Sequence, residues 1–201
     1  MYERYVKRAL DVVISLLAMV VLSPVLLAVA ILIKLDSPGP VFFKQKRFGK
    51  DRGFFEIYKF RSMRTDTPKD VPTDALQGAG SFITPLGNVL RKTSLDELPQ
   101  LWNILRGDMS LIGPRPALWN QEDLMALRDE HGASMIRPGL SGWAQVNGRD
   151  AIELEQKARY DGEYAASVSF LFDLKCLWMT VVKVIRREDI VEGAKKTEDK
   201  A

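Results

Sequence analysis

The chain has 201 residues, of which 46% are hydrophobic and 27% charged, so it is neither a disordered polymer nor a multi-span transporter. Its net charge of +3 hides an asymmetry: residues 1–65 hold twelve Lys/Arg against five Asp/Glu, a net of +7, which leaves −4 for the remainder. One cysteine, Cys176, excludes an intramolecular disulfide.

The first element is the apolar run inside "DVVISLLAMVVLSPVLLAVAILIKL". From Val12 to Ile33 there are 22 residues without a charge, enough for a membrane-spanning helix of roughly 20 residues. The run is long for a signal-peptide core, and no small-x-small cleavage site follows it. Pro24 removes the hydrogen bond to the Val20 carbonyl and strains the helix by about 3 kcal/mol. Ser23 is close enough to help satisfy that carbonyl in lipid. One reading is a kinked spanning helix. The flanks favour another: Arg4, Lys7 and Arg8 precede the run, and Lys34, Lys44, Lys46, Arg47 and Lys50 follow it. Basic flanks prefer the cytoplasmic side, and a helix broken at Ser23-Pro24 keeps both flanks there. The expectation is a re-entrant helix over residues 1–36 that enters one leaflet and returns.

"PVFFKQKRFGKDRGFFEIYKFRSM" predicts two strands joined by a glycine-containing turn, with Phe55, Ile57, Lys59 and Arg61 on one face of the second. Thr65 to Ser81, rich in Thr, Asp, Pro and Gly, predicts a mobile loop. Thr84-Pro85 opens a short helix to about Lys92, and "LPQLWNIL" predicts another that stops near Gly107. "LIGPRPAL" reads as an extended linker and "WNQEDLMALRDEHG" as a charged helix closed by Gly132. "IRPGLSGWAQVNGRD" reads as glycine-punctuated loop, and residues 151–165 as helix. Residues 170–187 predict an amphipathic helix suited either to the membrane interface or to packing on the core. The fold class is therefore α+β, mostly helical with a small β-hairpin.

The chemistry concentrates in "RKTSLDELPQL". Asp96 and Glu97 are adjacent, so on a helix they point about 100° apart. That suits a nucleophile beside a metal-holding carboxylate better than a facing acid and base. A helix N-terminus would favour the ionised Asp96. Ser94-x-x-Glu97 also fits a capping box, which needs no catalysis. In "GPRP", two prolines restrict Arg115 toward extended geometry, and a guanidinium held this firmly suits bidentate phosphate binding, although a solvated turn arginine fits equally. Arg91, Arg149 and Lys59 supply further cations that could converge with it on a diphosphate. His131 is the only histidine, which rules out a multi-histidine metal site, and it is expected at a helix end. Cys176 is expected to be packed. Asp161 and Asp173 lie on helices and either could be a second metal ligand. No Walker loop, G-x-G-x-x-G or groove-reading motif is present, so those nucleotide devices and nucleic acid are not expected.

Taken together and in order, "KRALDVVISLL…LSP", "YKFRSM", "LRKTSLDELPQLWNILRGDMSLIGPRP" and "RPGLSGWAQVNGR" resemble the bacterial sugar transferase family, the monotopic phosphoglycosyl transferases, from about Lys7 to Lys183. The length resembles members consisting only of the catalytic core. The resemblance implies transfer of a phosphosugar from a UDP-sugar to polyprenyl (undecaprenyl) phosphate, with UMP released and Mg2+ required. It implies Asp96 as a nucleophile that forms a covalent phosphosugar intermediate and Glu97 as the metal-associated carboxylate, with Asp96 sharing that metal. Lys59, Arg91, Arg115 and Arg149 are implied as phosphate- and nucleotide-binding residues, and Ser23-Pro24 as the membrane-helix break. It further implies residues 37–187 as a cytoplasmic catalytic domain, residues 188–201 as a polar tail, and a monotopic location at the cytoplasmic face of a bacterial inner membrane. A homodimer is compatible with the sequence. A membrane-anchored nucleotide-sugar-binding protein without turnover is the alternative, as is a single-step transferase.

Overall fold

The structure is a computed structural model that describes residues 2–71, 76, 78–148 and 152–186. Arg149, Arg187 and the tail 188–201 lie outside the described residues.

A π-helical turn over Tyr2–Val6 leads into α1, Lys7–Asp36. Thirty helical residues span roughly 45 Å. The helix continues past Pro24, so the segment expected as two helices is one element. The Ser23 hydroxyl donates to the Val20 carbonyl at 2.7 Å, supplying the partner that Pro24 cannot.

One stripe of α1 packs on the rest of the chain. Lys7, Asp11, Ser15, Val29 and Ile33 are buried, at helical spacing. Ala18 and Met19 touch the cluster of Ile57, Leu101, Ile104 and Met109. Leu26 and Ala30 join Val29 and Ile33 against Phe60 and Leu90. The opposite face, with Val13, Leu17, Val20, Val21, Leu27, Ile31 and Leu35, is apolar and exposed.

Both ends of α1 are tied down. At the start, Arg8 donates to the carbonyls of Ile104 and Leu105, Asp11 accepts from the Leu111 amide at 3.0 Å, and Lys7 pairs with Asp173 at 2.7 Å. At the finish, the Arg61 guanidinium donates to the carbonyls of Ile33, Ser37 and Pro38. It thereby braces the chain where it leaves the helix and sets a cation against the helix dipole.

The hairpin forms as the alternation predicts. β1 (Phe42–Phe48) pairs antiparallel with β2 (Phe54–Phe60), Phe42 opposite Phe60 and Phe48 opposite Phe54. In the region expected as loop, α2 covers Ala79–Phe82. α3 runs Pro85–Lys92, with the Thr84 hydroxyl accepting from the Gly87 amide at 2.9 Å. α4 spans Gln100–Arg106 and closes on Gly107 at φ 94°, a left-handed conformation that glycine adopts without strain.

The expected linker and glycine loop are corrected by the structure. β3 (Ser110–Ile112) and β4 (Gly139–Ser141) form a two-stranded parallel sheet, and a short α6 (Trp143–Val146) follows β4. The chains approach so closely that a Cβ on Gly139 would lie 2.1 Å from the Gly113 amide nitrogen. Glycine there serves close approach rather than disorder.

α5 covers Glu122–Glu130, with His131 at its C-terminal cap as expected. α7 covers Leu154–Ala166 and α8 Phe170–Arg186. α8 packs on the core, as one of its readings expects, and leaves a second apolar face exposed. Cys176 and Phe172 face Ile112 and Tyr164, whereas Phe170, Leu171, Leu174, Leu177, Trp178 and Val181 are exposed. The cation of Lys175 lies 4.4 Å from the ring centre of Trp143. The chain is thus mostly helical, with two small sheets and an apolar N-terminal helix.

Candidate active site

Asp96 and Glu97 sit in a single 3-10 turn, Leu95–Glu97, between α3 and α4. Ser94 enters that turn at φ 56°, and its side chain caps nothing. The capping-box reading therefore fails: the amide of Glu97 bonds to the Ser94 carbonyl, not its hydroxyl, at 3.2 Å. α4 starts only at Gln100, with Pro99 at its cap, so the missing proline N–H costs no helical bond. Leu95 packs into the cluster of Val29, Ile33, Phe60 and Leu90, which ties the acidic pair to α1.

The hairpin brings in the first cation. Lys59 on β2 donates to Glu97 Oε1 at 2.7 Å, both side chains being mostly buried. Arg115 reaches the same oxygen at 3.4 Å. Arg91, on the last turn of α3, acts on Asp96 through its field. Lys59, Arg91, Arg115, Asp96 and Glu97, dispersed over 57 sequence positions, therefore occupy one neighbourhood. Arg149 lies outside the described residues.

Asp96 is 8% exposed. Burial pushes its carboxyl above the usual range and Glu97 adds to that, while Lys59 first, then Arg91 and Arg115, pull it back. Burial likewise depresses the Lys59 ammonium, opposed chiefly by Glu97. The expectation that a helix N-terminus governs Asp96 gives way to this balance between desolvation and neighbouring cations.

Neither candidate for a further metal ligand joins the cluster. Asp161 is buried and accepts from Arg128 Nε at 2.9 Å and Nη2 at 2.6 Å. Asp173 is held by Lys7 and Tyr2 on one oxygen, each at 2.7 Å, and by Tyr164 on the other at 2.5 Å. Among the described residues no group of three or more His, Cys, Asp or Glu could hold a metal. The acidic pair itself is a hard oxygen donor set of the kind that holds Mg2+ together with substrate phosphates.

Three arginines hold backbone around this region, a role that sequence reasoning missed. Arg128, on α5, donates to the Arg115 carbonyl at 3.0 Å. Arg47, on β1, donates to the Pro116 carbonyl at 2.9 Å. Arg61 lies two residues beyond Lys59 and caps α1. A surface salt bridge and a buried positioning arginine look identical in the sequence.

The family model of bacterial sugar transferases matches residues 2–187. The UDP-glucose:undecaprenyl-phosphate glucose-1-phosphate transferase of Escherichia coli (strain K12) is 42% identical over 188 residues, covering 90% of this chain and 40% of that protein. The exopolysaccharide production protein PSS of Rhizobium leguminosarum bv. phaseoli is 42% identical over 191 residues, covering 90% of this chain and 96% of that protein. The UDP-N-acetylgalactosamine-undecaprenyl-phosphate N-acetylgalactosaminephosphotransferase of Aeromonas hydrophila is 39% identical over 189 residues, 90% of this chain and 44% of that protein. The chain thus spans less than half of two of these relatives and nearly all of the third.

Proposed function

The chain belongs to the bacterial sugar transferase family, and from that premise we propose that it moves a sugar-1-phosphate from a UDP-sugar to undecaprenyl phosphate, releasing UMP. The reaction would be the first membrane step in assembling a glycoconjugate or exopolysaccharide. The observation that carries the reading is the convergence of Lys59 and Arg115 on Glu97, beside a buried Asp96.

The steps follow from that arrangement. Asp96 contributes a carboxylate oxygen that attacks the β-phosphorus of the UDP-sugar. The bond from that phosphorus to the bridging oxygen breaks, and UMP leaves with the electron pair. An oxygen of undecaprenyl phosphate then attacks that same phosphorus, now joined to Asp96 as an acyl phosphate, and the bond from phosphorus to the Asp96 oxygen breaks. The carboxylate is regenerated, and the lipid diphosphosugar departs. Splitting the transfer lets one small site serve a soluble donor and a lipid acceptor in turn. An anionic nucleophile meeting an anionic diphosphate faces repulsion, which Lys59, Arg91, Arg115 and, by resemblance, Arg149 offset.

Asp96 and Glu97 are the residues that would hold Mg2+, which when bound would neutralise diphosphate charge and ease departure of UMP. Glu97, already shared between Lys59 and Arg115, keeps those cations at the place where the diphosphate must lie.

The membrane assignment has its own support. Both ends of α1 touch the same domain, which fits a monotopic, re-entrant arrangement at the cytoplasmic face and not a helix that leads away through the bilayer. The exposed apolar faces of α1 and α8 would lie against lipid, holding the site at headgroup depth.

A screen of UMP release over a panel of UDP-sugars, with undecaprenyl phosphate and Mg2+, tests the reading. The expected result is release with one donor or a few, and, with acceptor withheld, a phosphosugar mass on the peptide containing Asp96. Binding of UDP-sugars without UMP release would indicate a carrier instead. Turnover with an unmodified peptide would indicate single-step transfer.

A further inference from the structure

We propose that the buried Arg128–Asp161 pair is the positioning device for Arg115, fixing the direction in which its guanidinium meets the donor diphosphate. The inference rests on the phosphate-binding role proposed above for Arg115. It concerns two residues, on α5 and α7, that touch neither Asp96 nor Glu97 through any described hydrogen bond.

The argument begins with what prolines deny the chain. Pro114 and Pro116 have no N–H, so the segment around Arg115 cannot be gripped on both sides by an ordinary strand ladder. Its carbonyls are held instead, one after another. The Pro114 carbonyl accepts from the Gly139 amide at 2.8 Å, and the Ala117 carbonyl from the Phe48 amide at 2.9 Å. The two between them accept from side chains: Arg115 from Arg128 at 3.0 Å and Pro116 from Arg47 at 2.9 Å. Four successive carbonyls held from three separate segments, β1, β4 and α5, leave the Arg115 peptide little freedom to rotate.

Arg128 can serve only because Asp161 orients it. Nη2 is shared between Asp161 and the Arg115 carbonyl, while Nε binds Asp161 alone. The pair is almost wholly buried, with side chains 4% and 1% exposed. A buried ion pair gains little over apolar side chains of similar volume, so stability alone does not account for it. A planar donor that bonds a carboxylate and a carbonyl together does what an apolar pair cannot. Arg115 in turn points at Glu97.

The test is UDP affinity, measured with Mg2+ on the full chain in nanodiscs. Four proteins are compared: the parent, Arg115→Ala, the apolar pair variant Arg128→Met/Asp161→Leu, and the three substitutions together. The pair variant avoids leaving a lone buried charge, so its melting temperature is expected to stay near that of the parent. Its UDP affinity is expected to fall by about tenfold or more, the scale on which a small misplacement of a positioning group acts. The combined variant is expected to bind no worse than Arg115→Ala, because the pair works through Arg115. Losses that add, or an unaltered affinity in the folded pair variant, would overturn the inference.

Arg128→Lys is the second probe, since one ammonium keeps the charge beside Asp161 but lacks the planar fork. It should weaken UDP binding, and parent-like affinity would count against the inference. A parent that binds UDP but releases no UMP defeats the reading of the reaction and leaves this cycle legible. A parent that binds no UDP overturns the inference itself.

Discussion

Lys59 Nζ lies 2.7 Å from Glu97 Oε1, joining the second hairpin strand to the turn that carries the acidic pair. Lys59 is buried enough for its ammonium to be depressed, and Glu97 is what chiefly restores it. Removing one partner of such a pair strands the other. Lys59→Met should therefore destabilise the fold by about 1–3 kcal/mol, below the range for fully buried pairs because Arg115 also serves Glu97. Lys59→Met/Glu97→Gln should recover part of that loss. Denaturant melts of the two single variants and the double decide it: additive losses would mean that the two residues are not coupled.

Asp96 carries a stability cost whose sign can be worked out. Burial raises its carboxyl in the folded state. A raised acid binds its proton more tightly folded than unfolded. Its contribution is thus fully present below the ordinary carboxylate value, about 3.9, and is lost as pH rises through the raised value. At neutral pH the ionised Asp96 opposes folding. Asp96→Asn should melt several degrees higher than the parent at pH 7, and the gap should close toward pH 4. UMP release should vanish, and no phosphosugar mass should appear on that peptide. A variant that melts lower at pH 7 would show that the attraction of Lys59 outweighs the desolvation.

Legibility in the sequence followed local signals. The hairpin was readable because seven-residue strands carry a period of two, and α3 because Thr84-Pro85 is a complete start signal. β3 and β4 were not, since three residues among glycines and prolines show no period. Lys59, Arg91, Asp96, Glu97 and Arg115 could be nominated by residue type and resemblance, but only the fold brings them together. Arg128 and Asp161 are 33 positions apart, on helices whose other charges are solvated, so nothing local distinguished them. Asp173 reads in the sequence as a helix carboxylate that could serve a metal. Its partners Tyr2 and Lys7 lie 171 and 166 positions away.

Asp173 is therefore expected to act as a staple and not as a ligand. It holds the start of α1 through Lys7 and Tyr2 and reaches Tyr164, whose hydroxyl burial keeps far from ionisation. Asp173→Asn keeps the shape and removes the charge, and it should cost about 1–3 kcal/mol by weakening charged hydrogen bonds. The Mg2+ concentration for half-maximal UMP release should not move. A rightward shift of that titration with unaltered stability would restore Asp173 to the metal site.

The arrangement of α1 predicts a labelling pattern. Its first turns are bonded to Ile104, Leu105, Leu111 and Asp173, and its last turn to Arg61, so one domain grips both ends. The tethers at the start include charge-assisted bonds from Arg8 and Lys7, which a helix leaving through the bilayer would forfeit at one end. Cysteines placed at Tyr2 and Ser37 should both react with an impermeant maleimide in inverted membrane vesicles, and neither should react in intact cells. The background is low because Cys176 is buried, with its thiol pushed up to about 12, so it offers almost no thiolate at neutral pH. Reaction of the Tyr2 site from outside, with the Ser37 site reacting only from inside, would replace the re-entrant arrangement with a spanning helix.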